Sequence, residues 1–338
     1  MTHELKQMFE AFLKARENKL KAVIASVVHL DGSSYRKPGV RMLLLEDGNM
    51  IGAVSGGCVE KDIQRQAELV FNEGQPRMMM YDGRYRLGCE GILYILLEPF
   101  KPSEECIARF QLGLKNREEF QIRSYYQTQE GPSDKLGSIL SFGNDSFELS
   151  KRETNETRSG LLTFDQVFPP CFKMMIFGAE HDAVVLCRYA ALNGWEVSVI
   201  SGPLESKTIE NFPGASSFHS VSPDQLELDR IDRSTAIVIM SHNFANDLKY
   251  LLEIKDSSPA YIGLLGPVHR REKLMTQLLE YSPDINETFL ERLHGPAGLN
   301  IGSETPQEIA ISILSEILAV TRNQVPLSLK EKEGGIHA

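Results

Sequence analysis

The spacing of apolar positions changes several times along the chain, and each change marks an element. Leu5, Phe9, Phe12 and Leu13 recur at helical spacing, which predicts a helix over residues 3–17. An apolar run over 21–29 predicts a buried strand. Runs at 40–45 and 50–54 flank Asp47-Gly48, a dipeptide suited to a tight turn, and so predict a hairpin. Val59, Ile63, Ala67, Val70 and Phe71 then share one helix face that stops before Gly74. Strands at 78–81 and 92–97 follow.

The next stretch is less regular. Pro102-Ser103-Glu104-Glu105 opens a helix running to about Asn116, residues 120–128 and 137–142 alternate as strands, and 150–160 is a polar loop before Pro169-Pro170. From Cys171 the texture changes. An apolar strand at 172–177 runs into Gly178-Ala179-Glu180-His181-Asp182-Ala183, a helix to Asn193, Gly194 and a strand at 195–200, which together make a βαβ unit. Strands at 236–240 and 261–265 each precede a helix pattern. Thr305, Pro306 and Glu308 mark the start of a last helix with Ile309, Ile313, Ile317 and Val320 on one face. The expected fold class is α/β: an N-terminal mixed α/β (α+β) domain over 1–100, then a Rossmann-like, doubly wound parallel-sheet domain over 171–325. A connecting segment with some strands fills 101–170, and a polar tail fills 326–338.

Composition narrows the function. The 338 residues carry 46 acidic against 36 basic side chains, a net charge of −10, which argues against a nucleic-acid or anionic-membrane surface. No apolar run reaches membrane-spanning length, and the opening residues lead into an amphipathic helix rather than a signal peptide, so a cytoplasmic protein is expected. The five cysteines form no Cys-x-x-Cys pair, and the eight histidines no His-x-x-x-His pair, so zinc has no support. Cys171 and Cys187 read as packing residues, and Cys106 carries no role.

The sharpest chemistry lies at 52–60, Gly-Ala-Val-Ser-Gly-Gly-Cys-Val-Glu. Glycines let backbone N–H groups converge, a helix N-terminus adds partial positive charge, and the same surroundings favour a thiolate. Ser55, Gly56, Gly57 and Cys58 can therefore hold an anion beside a reactive sulfur. The alternative is a tight strand-to-helix turn with a buried cysteine, and the residues of this turn alone leave both open.

Two further segments add weight. Gly32, Ser33, Ser34, Arg36, Gly39 and Met42 precede the turn, while Gly88, Cys89, Gly91, Glu98 and Pro99 follow it. With Ser55, Gly56, Gly57, Cys58 and Glu60, these resemble the XdhC/CoxI family, the xanthine dehydrogenase accessory factors. The chain departs from that pattern at Glu90, where the family has glycine. The second half is similar to the family's Rossmann-like domain at Gly178, Ala179, His181, Ala183, Gly194, Trp195, His242 and Asp247, at 261–266, at 298–302 and at 305–310. The resemblance spans roughly 20–100 and 170–320.

It implies a maturation factor that binds molybdenum cofactor (molybdopterin) transiently, protects it during sulfuration and assists its insertion. The partners so implied are a molybdenum hydroxylase target enzyme and a cysteine desulfurase; a homodimer is the default assembly. On this reading Arg36, Lys37 and Arg41 supply charge to a phosphate, and Cys58 contacts molybdenum or relays sulfur. Glu60 belongs to the same site, and Cys89 stands in a second glycine turn. The protein is then a cofactor-binding chaperone more than a catalyst. Two other readings stay open, a nucleotide-dependent oxidoreductase and a non-catalytic docking scaffold.

NAD(P) is disfavoured by the residues themselves. The dinucleotide fingerprint needs a second glycine where this chain has Glu180, and an acid after the second strand where it has Ser201-Gly202-Pro203. A pocket at the expected C-terminal sheet edge would draw on Gly178, His181, Asp182, His242 and Asp247. The competing reading makes His181, Asp182 and His242 helix-capping residues. His269-Arg270-Arg271 opens another helix, and is either a solvated start or an anion site.

Overall fold

The computed structural model describes residues 1–32, 37–55, 57, 59–85, 91–150, 158–225 and 231–332. The chain divides into two compact units, Met1–Pro170 and Cys171–Ala338.

In the first unit, α1 (Thr2–Glu17) leads into β1 (Ala22–Asp31), β2 (Arg41–Leu45) and β3 (Met50–Gly52). Asp47-Gly48 turns the β2–β3 hairpin, with Gly48 at φ 88°. Then come α2 (Glu60–Glu73), β4 (Arg77–Asp82) and β5 (Ile92–Pro99). Gly74 ends α2 in the left-handed conformation, its N–H returning to the Val70 carbonyl.

Residues 101–170 build α3 (Glu104–Lys115), β6 (Phe120–Tyr126), β7 (Gly131–Pro132), β8 (Gly137–Phe142), β9 (Asp145–Glu148) and β10 (Leu162–Phe168). Ser103 caps α3 by accepting the Cys106 N–H. The strands make two sheets, one ordered β3-β2-β1-β5-β4-β7 and the other β10-β6-β8-β9. All the pairings within them are antiparallel.

Strand alternation sends successive side chains to opposite faces of the first sheet. Val23, Ala25, Met42, Leu44, Ile95 and Leu97 pack with Ile63, Ala67 and Val70 of α2. Ala22, Ile24, Leu43 and Leu45 pack with α1, α3 and the second sheet through Phe9, Phe12, Phe110, Phe120 and Phe142. Phe9 stacks on Phe110 with ring centroids 4.0 Å apart.

The second unit contains β11 (Lys173–Phe177), α4 (His181–Leu192), β12 (Glu196–Ser201), β13 (Ala215–Ser220), β14 (Thr235–Ile239) and α5 (Phe244–Ile254). It continues with β15 (Tyr261–Leu264), α6 (Val268–Tyr281), α7 (Glu287–Glu291), β16 (Leu293–His294) and α8 (Pro306–Thr321). Its sheet is parallel throughout, in the order β13-β12-β11-β14-β15-β16. Counted within the unit this is 3-2-1-4-5-6, the doubly wound order. Met174, Ile176, Val197 and Val238 face α4 and α8. Met175, Phe177, Ile237 and Ile239 face α5 and α6. Thr305 and Glu308 form the expected capping box at α8.

Cys106, Cys171 and Cys187 are buried. Burial pushes the Cys106 thiol up to about 12 and the Cys187 thiol up to about 11, so neither ionises near neutrality. Among the described residues no helix is long and apolar enough to cross a membrane.

Candidate functional site

The antiparallel order determines where the three glycine-bearing segments start. Asp31 ends β1 and pairs with Ile92, which opens β5 and also pairs with Asp82 at the end of β4. Gly52 ends β3 and pairs with Met42 near the start of β2. The segments over 32–40, 53–59 and 83–91 therefore all leave the sheet from one end. At ~4.8 Å between neighbouring strands, β3 and β5 stand about 14 Å apart, a span such segments can bridge. Arg36, Gly56, Cys58 and Cys89 lie outside the described residues. Lys37 is exposed at this end.

The Ser55–Glu60 turn is closed by its own acid. Glu60, only 8 % exposed, accepts the Ser55 N–H at 2.6 Å and the Ser55 hydroxyl at 2.6 Å. It also accepts the Gly57 N–H at 3.0 Å, while Ser55 Oγ accepts the Val59 N–H at 3.2 Å. Burial acts to raise the pKa of this carboxyl, but the bonds from Ser55 and Gly57 outweigh it and hold the group below its ordinary value. The partial positive charge of the α2 N-terminus meets an internal carboxylate here. The amides of Ser55 and Gly57, expected to face a ligand, are directed at Glu60 instead.

Arg41 also differs from expectation. In β2 it shares a face with Leu43 and Leu45, which turns it toward the core, and it is 6 % exposed. Its NH1 group donates to the Gly39 carbonyl at 3.0 Å and to Gln166, and the guanidinium lies over the Phe168 ring. Burial lowers its pKa to about 10, partly opposed by the charge of Glu98. Arg41 thus braces β2 against β10 and is not a surface cation.

A polar group that no motif marks stands at the same sheet end. Asp31 accepts the Tyr94 hydroxyl at 2.9 Å and lies 2.9 Å from His29 Nε2. Its carboxyl is held below the usual range, first by Tyr94 and then by His29. The β1–β5 register creates this group, since His29 and Tyr94 are paired residues. An Asp two residues after a His in one strand is its one local signal.

In the second unit the switch point lies between β11 and β14, where the connections run in opposite directions. Gly178 follows β11 at φ 144°, and a Cβ there would meet the Met240 carbonyl oxygen at 2.3 Å. The loops after β11 and β14 therefore touch through their backbones. Glu180 is the N-cap of α4 yet makes no capping bond with its side chain; it is exposed, with Lys207 Nζ 3.9 Å away. His181 is exposed and Asp182 half-buried in the first turn of α4.

His242 is exposed at φ 55°, and Asn243 rather than His242 caps α5. His242 lines a cavity of about 170 Å3 with Met240, Leu265, Gly266, Pro267 and Arg270. Asp247 is 1 % exposed and serves as a brace: it accepts from Ser241 and, at 2.7 Å, from Arg270. The switch point thus gathers the loops bearing Gly178, His181 and His242, whereas Asp247 is occupied within the fold.

Comparisons with known proteins follow this division. Residues 15–82 match the model of the XdhC and CoxI family, and residues 174–317 match that of the XdhC Rossmann domain. A Bacillus subtilis protein named as a probable subunit of xanthine dehydrogenase is 28 % identical, over 94 % of this chain and 97 % of its own. A molybdenum cofactor insertion chaperone, PaoD of Escherichia coli, is 25 % identical over 90 % of this chain and 84 % of its own. A crystal structure described as a xanthine dehydrogenase from Bacillus halodurans superposes with a TM-score of 0.76 at 26 % identity. It covers 96 % of this chain and 98 % of that one.

Proposed function

The chain belongs to the XdhC and CoxI family, and on that footing we propose that it is a maturation factor for a molybdenum hydroxylase of the xanthine dehydrogenase type. In this reading it takes up molybdenum cofactor transiently at the end of the first sheet. It holds the cofactor while a cysteine desulfurase supplies sulfur, then hands it to the target enzyme. It works in the cytoplasm as a homodimeric chaperone and does not itself hydroxylate substrate. The observation that carries the reading is the common origin, at one sheet end, of the segments bearing Arg36, Cys58 and Cys89.

The donor set suits such a cargo. Molybdenum cofactor brings a phosphate and a soft, sulfur-bound metal. Cys58 supplies a soft ligand, and Arg36 with Lys37 supplies charge for the phosphate. Glu60 fixes the turn that carries Cys58 by holding Ser55 and Gly57. Arg41 takes no part, because it is buried, with its NH1 group held by Gly39 and Gln166 inside the fold. The loops at Gly178, His181, Asp182 and His242 form a second surface for the cargo. NAD(P) has no place in this reading, since Glu180 puts an acid where a pyrophosphate would approach.

The test is anaerobic titration of the purified protein with isolated molybdenum cofactor, wild type beside Cys58→Ala. Saturable binding by the wild type, lost in a variant of unchanged melting temperature, is the expected result. No binding by either would sink the reading. A parallel titration with NAD(H) and NADP(H) is expected to give no heat.

A further inference from the structure

The segment that follows α8 leaves its apolar residues in solvent. Residues 322–331 are all exposed. Val325 is 80 % exposed, and Leu327 and Leu329 are each more than half exposed. They recur at every second position, so in an extended chain they share one face. Pro326 stiffens the stretch and biases Val325 toward extended backbone. From Val325 to Leu327 the segment makes no hydrogen bond among the described residues, and Ser328 then caps a short 3-10 turn at Leu329–Glu331. Three apolar side chains standing together in solvent mark an interaction surface.

The outer side of the α4–α8 pair offers the complement. Leu192 and Ile311, both exposed, and Leu314 and Leu318, both half-buried, floor a groove of about 400 Å3. Ile311, Leu314 and Leu318 fall at helical spacing on one face of α8. Tyr189, Asn193 and Ser315 line the same groove, and their side chains make no hydrogen bond among the described residues. A phenol, an amide and a hydroxyl beside an apolar floor suit an extended peptide. The floor takes alternate side chains, and the polar groups take the backbone between them. Residues 325–328 reach about 10 Å when extended, and Ile311 to Leu318 spans about 10 Å along α8.

One chain thus carries a groove and a segment that fits it, yet does not bring them together. Arg322, Asn323 and Gln324 close the end of α8 by donating to the Leu318, Val320 and Ala319 carbonyls. That closure fixes the exit of the segment, and both it and the groove stand in solvent. We propose that the arm over 324–329 of one copy lies in the α4–α8 groove of a second copy, and the second copy's arm in the groove of the first. A two-fold axis makes the exchange reciprocal, so each contact forms twice and the assembly closes at a dimer. This exchange supplies the interface of the homodimer in the maturation reading and rests on no other part of it.

The experiment is sedimentation equilibrium of the full chain across a range of concentrations. The wild type is expected to be dimeric. Leu327→Asp/Leu329→Asp alters the arm outside any α-helix or strand, while Leu192→Asp and Ile311→Asp alter exposed positions of the groove. Each variant is expected to keep the circular dichroism of the wild type and to raise the dimer dissociation constant about a hundredfold or more. A wild-type dimer that these variants leave intact overturns the exchange alone. A wild type that stays monomeric overturns the exchange and the homodimer together, and leaves cofactor binding to be decided by its own titration.

Mixing the variants separates the exchange from direct packing of one α4–α8 face on another. The arm variant keeps a sound groove, and Leu192→Asp keeps a sound arm. Together they can form one complete contact, while neither can form one with itself. A heterodimer is therefore expected in the mixture, about tenfold or more tighter than the self-association of either variant. Two faces packed directly give no such recovery, and its absence would overturn the exchange. Mixing the arm variant with Ile311→Asp repeats the test at a second groove position, with the same recovery expected.

Discussion

The two units each contain a glycine-bearing turn from a strand into a helix, with an acid at the helix start, and they use these parts in opposite ways. At Ser55–Glu60 the acid folds back and takes two backbone N–H groups and a hydroxyl of its own turn. At Gly178–Asp182 the acid, Glu180, points to solvent and makes no capping bond. The glycines differ as well. A Cβ on Gly57 would meet nothing within 4 Å, whereas one on Gly178 would strike the Met240 carbonyl at 2.3 Å. Gly57 supplies backbone conformation, and Gly178 supplies space. A glycine pattern beside a helix start therefore does not by itself reveal an open anion cradle.

Four substitutions would break or sharpen this contrast, each read as a denaturant midpoint. Gly178→Ala is expected to cost most, about 3 kcal/mol or more, because the clash is with backbone and the φ of 144° is strained for any side chain. Glu60→Ala comes next, at about 2–3 kcal/mol, since the Ser55 and Gly57 donors lose their acceptor. Its effect should depend on pH. The folded-state pKa of Glu60 is depressed, so its contribution is present above the unfolded-state carboxylate value and is lost as pH falls through the folded value. Wild type and Glu60→Ala should accordingly converge in acid, and a gap that stays constant with pH would contradict the bonding described.

Gly57→Ala is expected to cost about 1–2 kcal/mol through its φ of 115° alone. Glu180→Ala should fall within about 0.5 kcal/mol of wild type, because the side chain is exposed and Lys207 lies 3.9 Å away. If Glu180→Ala cost as much as Glu60→Ala, the two turns would be alike after all.

The sequence made local features legible. Asp47-Gly48, the capping box at Thr305 and the stop at Gly74 each rest on a few neighbouring residues, and each is present as expected. What stayed hidden depended on partners far along the chain. Arg41 sits in a strand in which every residue is buried, so no alternation showed which way it would point; Gln166, which bonds it, lies 125 positions away. Glu98 likewise turns an oxygen to the Ser138 N–H of β8, 40 positions on. Edge strands were equally opaque. β13 is Ala-Ser-Ser-Phe-His-Ser and lacks the apolar run of its neighbours, because one of its sides carries no further strand. The donor directions at Ser55 and Gly57 were not legible either. The Ser-to-Glu spacing was visible, but the backbone angles that aim the amides at Glu60 were not.

The edges of the first sheet limit how a partner protein can hold on to it. β3 spans three residues and β7 two, and Pro132 in β7 has no N–H to offer. β7 covers only Arg77 and Met78 of β4, and the Met80 N–H beyond it is taken by the Glu130 carboxylate at 2.8 Å. Borders this short and partly covered leave an incoming strand little backbone to pair with.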